Sequence, residues 1–161
     1  MPRKYDMVGR DMLARLCIGV GLDIGCNEKK VTPDCIGVDI DPEVCPDNVA
    51  SMNNLGGADN QYDYVVASHV LEHTYDVKET LREWCRILKH GGCVGVIVPH
   101  GEYTSYQTLG DASDTHRQLF TPKTLELFLR YSGFVDVSVL QYDRPMAYKQ
   151  TPGIFATGKK P

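Results

Sequence analysis

Hydrophobic spacing defines the elements from the start of the chain. Behind Asp6, a residue suited to cap a helix, Val8, Met12, Leu13 and Leu16 recur at helical spacing. Residues 18–24 then alternate, with Ile18, Val20, Leu22 and Ile24 on one strand face and Gly19, Gly21 and Asp23 on the other. Residues 35–40 repeat the pattern, placing Ile36, Val38 and Ile40 opposite Cys35, Gly37 and Asp39. A short third strand is predicted over 49–52, and a fourth over 62–68, where β-branched and aromatic residues dominate. Asp76 opens the clearest helix: Glu79 stands three positions on, as in a capping box, and Val77, Leu81, Trp84, Cys85 and Leu88 make one apolar stripe. Gly91 is placed for a left-handed C-terminal cap. A fifth strand follows over 93–98, stopped by Pro99. Thr121 and Pro122 open a last helix through Leu125, Phe128 and Leu129 to Gly133. Strands over 135–142 and 154–159, joined by a loop holding Pro145 and Pro152, complete the pattern.

Alternating strands and helices imply a mostly parallel sheet with right-handed crossovers. Ligands in such sheets sit beyond the carboxyl ends of the strands. The first crossover is unusual, because only residues 25–34, including Pro33, separate the first two strands. That leaves no room for an ordinary helix. The link from Asp41 to Asn48 is equally short. Gly19, Gly21, Cys35 and Gly37 would then share a face that only the first helix, Asp6 to Cys17, can cover. Either that helix, with the loop after Asp41, closes over the face, or a second copy does, and the pattern favours a homodimer.

Composition narrows the class of partner. The chain has 161 residues, 42% hydrophobic and 24% charged, with no repeat or linker, so one domain over 1–161 is expected. No apolar run approaches the roughly 18 residues of a membrane span, and no apolar segment follows the first residues as in a secretion signal. A net charge of −4 argues against nucleic acid as the main partner. None of the six cysteines forms a C-x-x-C pair, so reduced thiols in a cytoplasmic protein are expected rather than a zinc knuckle or a disulfide scaffold.

The strand ends carry the chemistry. The first ends Leu22-Asp23-Ile24-Gly25-Cys26-Asn27, where glycine admits a ligand close to the backbone and the acid can hold an ammonium group. The second ends Gly37-Val38-Asp39-Ile40-Asp41, and a carboxylate there can accept hydrogen bonds from both hydroxyls of a ribose. Together these ends favour a nucleoside-containing cofactor. They also resemble the opening of class I S-adenosylmethionine-dependent methyltransferases. Tyr62-Asp63-Tyr64-Val65-Val66-Ala67-Ser68-His69-Val70-Leu71-Glu72-His73 is similar to that family's fourth-strand signature, and the run from Leu81 to Gly92 to its following helix and glycine turn. His116-Arg117-Gln118-Leu119-Phe120-Thr121-Pro122 resembles the family's lead-in to the last helix.

The resemblance implies an α/β fold: a single doubly wound, mostly parallel seven-stranded sheet with an antiparallel C-terminal strand, the helices between the first three strands being shortened or missing here. It implies S-adenosyl-L-methionine as cofactor and a small-molecule acceptor. Asp23, Gly25 and Asn27 would line the methionine end, Asp39 would hold the ribose, and Ile40 would pack on the adenine. Ser51, Met52 and Asn53 would meet the adenine edge, and Ser68 and His69 would flank the sulfonium. Two departures stand out. Asn27 and Lys29 occupy positions where the family's glycines continue, though asparagine tolerates the left-handed conformation, and Ser51 replaces a frequent aspartate.

Methyl transfer needs mainly alignment of acceptor and methyl group, and a base only where the acceptor loses a proton. His69 is the preferred base, with His73, His100 and His116 behind it. Tyr103 and Tyr106 are candidates for an aromatic wall. The DNA-methylating Asn/Asp-Pro-Pro-aromatic and Pro-Cys motifs are absent at the fourth strand end, which turns the expectation toward a small acceptor. Two other readings stay open: a non-catalytic cofactor-binding or assembly module, and, further off, a metal-dependent hydrolase using His69-Glu72-His73, which matches H-x-x-E-H. That motif lies on a strand end rather than within a long helix, and the sequence singles out no third ligand, so no metal is expected.

Overall fold

A computed structural model describes residues 6–103, 116–143 and 152–161. Seven strands form one sheet in the order β3-β2-β1-β4-β5-β7-β6: β1 (Gly21–Ile24), β2 (Ile36–Asp39), β3 (Asn48–Val49), β4 (Tyr62–Ser68), β5 (Leu88–Pro99), β6 (Val135–Tyr142) and β7 (Gly153–Lys159). The neighbours from β3 to β5 pair in parallel, while β7 runs antiparallel to both β5 and β6. Among the described residues the helices are α1 (Met7–Ala14), α2 (Val77–Ile87) and α3 (Pro122–Tyr131). No helix stands between β1 and β2, and only a 3-10 turn at Pro42–Val44 between β2 and β3. The expected α/β sheet, with its antiparallel C-terminal strand and missing early helices, is the observed one. Among the described residues no helix is long and apolar enough to cross a membrane.

The larger core fills the sheet face under α2 and α3, where Leu22, Val38, Val65, Leu81, Trp84, Ile87, Leu125 and Leu129 are buried. The smaller one lies under α1 and joins Leu13, Cys35, Tyr64, Val66 and Ile97. Here the chain covers part of the glycine face itself, and α1 extends the cover across β4 and β5. Leu13 and Leu16 stand so close over Gly95 that a Cβ there would meet Leu16 Cδ1 at 2.4 Å. The loop after β1 folds back so that a Cβ on Gly37 would lie 2.9 Å from both Cys26 Sγ and Lys30 Cδ. α1 and this loop thus cover part of the face on which the expectation of a homodimer rests.

Local signals place most boundaries. Asp6 accepts from Gly9 N at 3.0 Å and Asp76 from Glu79 N at 2.9 Å, while Thr121 and Thr124 form the capping box of α3. Two expectations need correction. The first strand starts at Gly21 rather than Ile18, because Gly19 turns to φ +93° and leaves Ile18 and Val20 exposed. Gly91 does not cap α2. That helix stops at Ile87, and Leu88 pairs at once with Tyr62. Gly91, at φ +78°, belongs to a bulge between Leu88, opposite Tyr62, and Cys93, opposite Tyr64. The C-terminal residue pairing there is Lys160, whose carbonyl accepts from Gly91 N and whose amide donates to Gly92 O.

Candidate active site

The carboxyl ends of β1, β2 and β4 open on a cleft of about 350 Å³. Three residues around it take left-handed backbone: Gly25 at φ +68°, Asn27 at +50° and His69 at +58°. Histidine is costly in that region, and such conformations concentrate at working sites. Gly25 has a second reason to be glycine, since a Cβ there would fall 2.2 Å from Val70 Cγ2. The amides of Gly25 and Cys26 both donate to Val38 O, which ties the turn to β2.

Asp39 ends β2 with its carboxylate fixed by the loops around it. Oδ2 accepts from Asn27 N at 2.9 Å and Oδ1 from Asp41 N at 3.1 Å. Beside it Ile40 is 71% exposed, an apolar shelf at the mouth of the cleft that the core does not use. Ser51 and Met52 line the same end, but the Ser51 hydroxyl is engaged with Asn53 Oδ1 at 2.6 Å. The Met52 segment is held by Trp84, whose Nε1 donates to Met52 O at 2.8 Å. This buried tryptophan reads in sequence as one member of a core stripe, and nothing local marks its second task. Trp84→Phe would strand that carbonyl at a cost of about 1–2 kcal/mol. Urea denaturation should show the loss, and calorimetry a weaker grip on any adenine.

At the other end stand His69 and His73. His69 lies between two buried carboxylates, with Nε2 3.5 Å from Asp6 Oδ2 and Nδ1 3.4 Å from Glu72 Oε1. Tyr142 donates its hydroxyl to Asp6 Oδ2, so α1 and β6 both reach the site. Although burial opposes it, the neighbouring His69 holds the carboxyls of Asp6 and Glu72 below their usual ranges, and hydrogen bonds from Tyr142 and Gly9 add to this at Asp6. Asp6 announces itself in sequence only as a helix cap.

The cleft thus gathers Gly25, Asn27, Asp39, Ile40, Ser51, Met52, His69 and His73. It does not gather Asp23, Asn53 or Ser68. Asp23 points to the opposite face of the sheet, buried, accepting from Val31 N at 2.6 Å. Strand alternation dictates this, since Ile24 faces the α2 side. Asn53 lines a separate charged hollow along α2 with Glu79, Glu83 and Arg86. Ser68 stays in the ladder opposite Ile97. Of the other candidates, buried His100 meets the edge of Tyr103 at 5.0 Å, and Tyr103 is exposed. Tyr106 lies outside the described residues.

A family profile described as a methyltransferase domain matches residues 13–139. Among solved structures, the chain is similar to phosphoethanolamine N-methyltransferase 2 of Haemonchus contortus, in complex with phosphomonomethylethanolamine and S-adenosylhomocysteine. The TM-score is 0.77 at 16% identity, over 96% of this chain and 52% of that one, so this chain spans about half its length. A Thermotoga maritima S-adenosylmethionine-dependent methyltransferase, described as a possible histamine N-methyltransferase, gives 0.76 at 17% identity, over 98% and 91%. One from Archaeoglobus fulgidus gives 0.70 at 20% identity, over 98% and 96%. No curated protein matches the sequence. The matched sequence and the sheet order together establish that the chain belongs to the methyltransferase-domain family, whose class I members share this fold and use S-adenosyl-L-methionine.

Proposed function

We propose that this domain transfers a methyl group from S-adenosyl-L-methionine to a small-molecule acceptor that enters beside His69 and His73. The observation that carries the reading is the two-ended cleft, with a fixed carboxylate and an exposed apolar shelf at one end and two histidines at the other. A carboxylate offers about four lone-pair sites. Asn27 and Asp41 engage one oxygen each, which leaves capacity at Asp39 for the two hydroxyls of a ribose. Ile40 would pack on the adenine, and Gly25 would let the cofactor approach the β1 turn. When bound, the cofactor supplies a methyl group already activated on a sulfonium.

The chain's own task is then to orient the acceptor and exclude water. A proton released by the acceptor leaves through the cluster of His69, Asp6 and Glu72, in which both ring nitrogens of His69 face carboxylates. Carboxylates placed this way stabilise the protonated ring. A co-crystal with S-adenosylhomocysteine separates this reading from a binding module without turnover. An open hollow beside His69 and His73 supports transfer, and a filled one supports the module.

Calorimetry tests the cofactor assignment directly. S-adenosylhomocysteine is expected to bind the wild type and to lose about 10- to 100-fold in affinity with Asp39→Ala, the worth of charge-assisted hydrogen bonds. Unchanged affinity in the variant would overturn the ribose role. Absence of wild-type binding at millimolar ligand would overturn the cofactor reading as a whole.

A further inference from the structure

We propose that Glu72, His73 and His116 form a binding site for a divalent transition-metal ion at the acceptor end of the cleft. Glu72 is fully buried, and neither carboxylate oxygen has a partner in hydrogen-bonding geometry. Its nearest charged neighbours are long contacts, His69 Nδ1 at 3.4 Å and His116 Nε2 at 3.9 Å. A buried carboxylate whose charged neighbours stand only at these longer distances keeps lone pairs for a closer cation.

The backbone explains why His116 is there. The carbonyl of Glu72 accepts from Arg117 N at 2.7 Å and Gln118 N at 3.0 Å, and Gln118 Nε2 donates to Thr74 O at 3.1 Å. These bonds fasten the segment before α3 against the 3-10 turn Leu71–His73. The His73 and His116 rings consequently face each other with centroids 4.8 Å apart, tilted by 58°. One donor atom from each of Glu72, His73 and His116 lies within 4.8 Å of the others. Donors on a tetrahedral ion with 2.0 Å bonds sit roughly 3.3 Å apart, so each would move by about an ångström. Rotation of two partly exposed rings provides that.

This trio is not the one H-x-x-E-H suggests. The motif forms a 3-10 turn rather than an α-helix, and the second carboxylate facing His69 is Asp6. His69 meets the same Glu72 oxygen as His116, Oε1, and would orient the carboxylate while Oε2 stays open to an ion. Two imidazoles and one carboxylate suit zinc, manganese or iron better than magnesium or calcium. Three protein ligands leave a coordination position open, the pattern of reactive rather than structural sites. His73 lines the cleft, so that position would open toward the acceptor. This last consequence rests on the methyltransferase reading, whereas metal binding itself does not.

Zinc is the probe, titrated calorimetrically into metal-free protein without cofactor, with cobalt absorption as a second readout. One equivalent is expected, with tetrahedral or five-coordinate cobalt bands and no thiolate charge-transfer band. His116→Ala should lower affinity by about 100-fold, while the exposed, distant His90→Ala leaves it unchanged. S-adenosylhomocysteine binding by His116→Ala reports that the variant is folded. Failure of the wild type to take up zinc would overturn the proposal. So would equal zinc binding by His116→Ala, or a thiolate band, which would place the ion on cysteines. Zinc uptake without any S-adenosylhomocysteine binding would leave the site standing and remove the methyltransferase reading instead.

Discussion

Gly25→Ala is expected to destabilise the domain by about 2–5 kcal/mol and to lower affinity for S-adenosylhomocysteine with it. Two costs add at this position. The backbone sits at φ +68°, where an L-residue is disfavoured by about 1–2 kcal/mol. The new methyl would also fall 2.2 Å from Val70 Cγ2. Forcing a methyl into a packed site costs about 1–3 kcal/mol. The Gly25 and Cys26 amides hold Val38 O, so displacement of the turn loosens the end of β2 and with it Asp39. Equilibrium urea denaturation measures the sum. The double variant Gly25→Ala, Val70→Ala separates the parts, because it relieves the collision and leaves the backbone cost. A single variant within about 0.5 kcal/mol of wild type would mean that the turn yields easily and that neither constraint holds.

Asp23→Asn is expected to do the reverse and stabilise the protein at alkaline pH. Burial pushes the Asp23 carboxyl up to about 7 from an ordinary 3.8, against the opposing effect of the Val31 amide hydrogen bond. The folded state therefore keeps its proton up to about pH 7, while the unfolded chain releases it near pH 4. Between those values the folded state binds more protons, so stability falls as pH rises. At about 1.4 kcal/mol per unit, the wild type loses up to about 4 kcal/mol across the window and nothing more above it. Asparagine keeps an oxygen for Val31 N and has no proton to lose. The variant should match the wild type near pH 4 and exceed it by some 2–4 kcal/mol at pH 8. Denaturation at a series of pH values decides the matter, and parallel curves for the two proteins would refute it. Asp6 and Glu72 act in a separate window. Their lowered values give stability that is present above their ordinary range and lost as pH falls through the folded values.

The elements that sequence alone located are those whose signals are local. The run Tyr62–Ser68 is β-branched and apolar on both faces, which suits an interior parallel strand, and its bounds are the observed ones. Asp6, Asp76 and Thr121 mark helix starts because a cap is a contact between residues three apart. Gly25, Asn27 and Asp39 reach the cleft for the same reason, since their positions follow from turn geometry at strand ends. Other placements needed the folded sheet. Gly91 has the residue type of a helix cap, yet β-pairing of Leu88 with Tyr62 ends the helix sooner. Asp23 carries the right chemistry for a ligand, but β1 turns it to the face beneath α1. The short first crossover leaves no helix over this part of the sheet, and a loop approaches it closely at Gly37 instead. The meeting of Glu72 with His116 spans 44 positions and rests on backbone hydrogen bonds from Arg117 and Gln118. No periodicity or spacing encodes such a contact. It exists only once β4 and the segment before α3 are folded against each other.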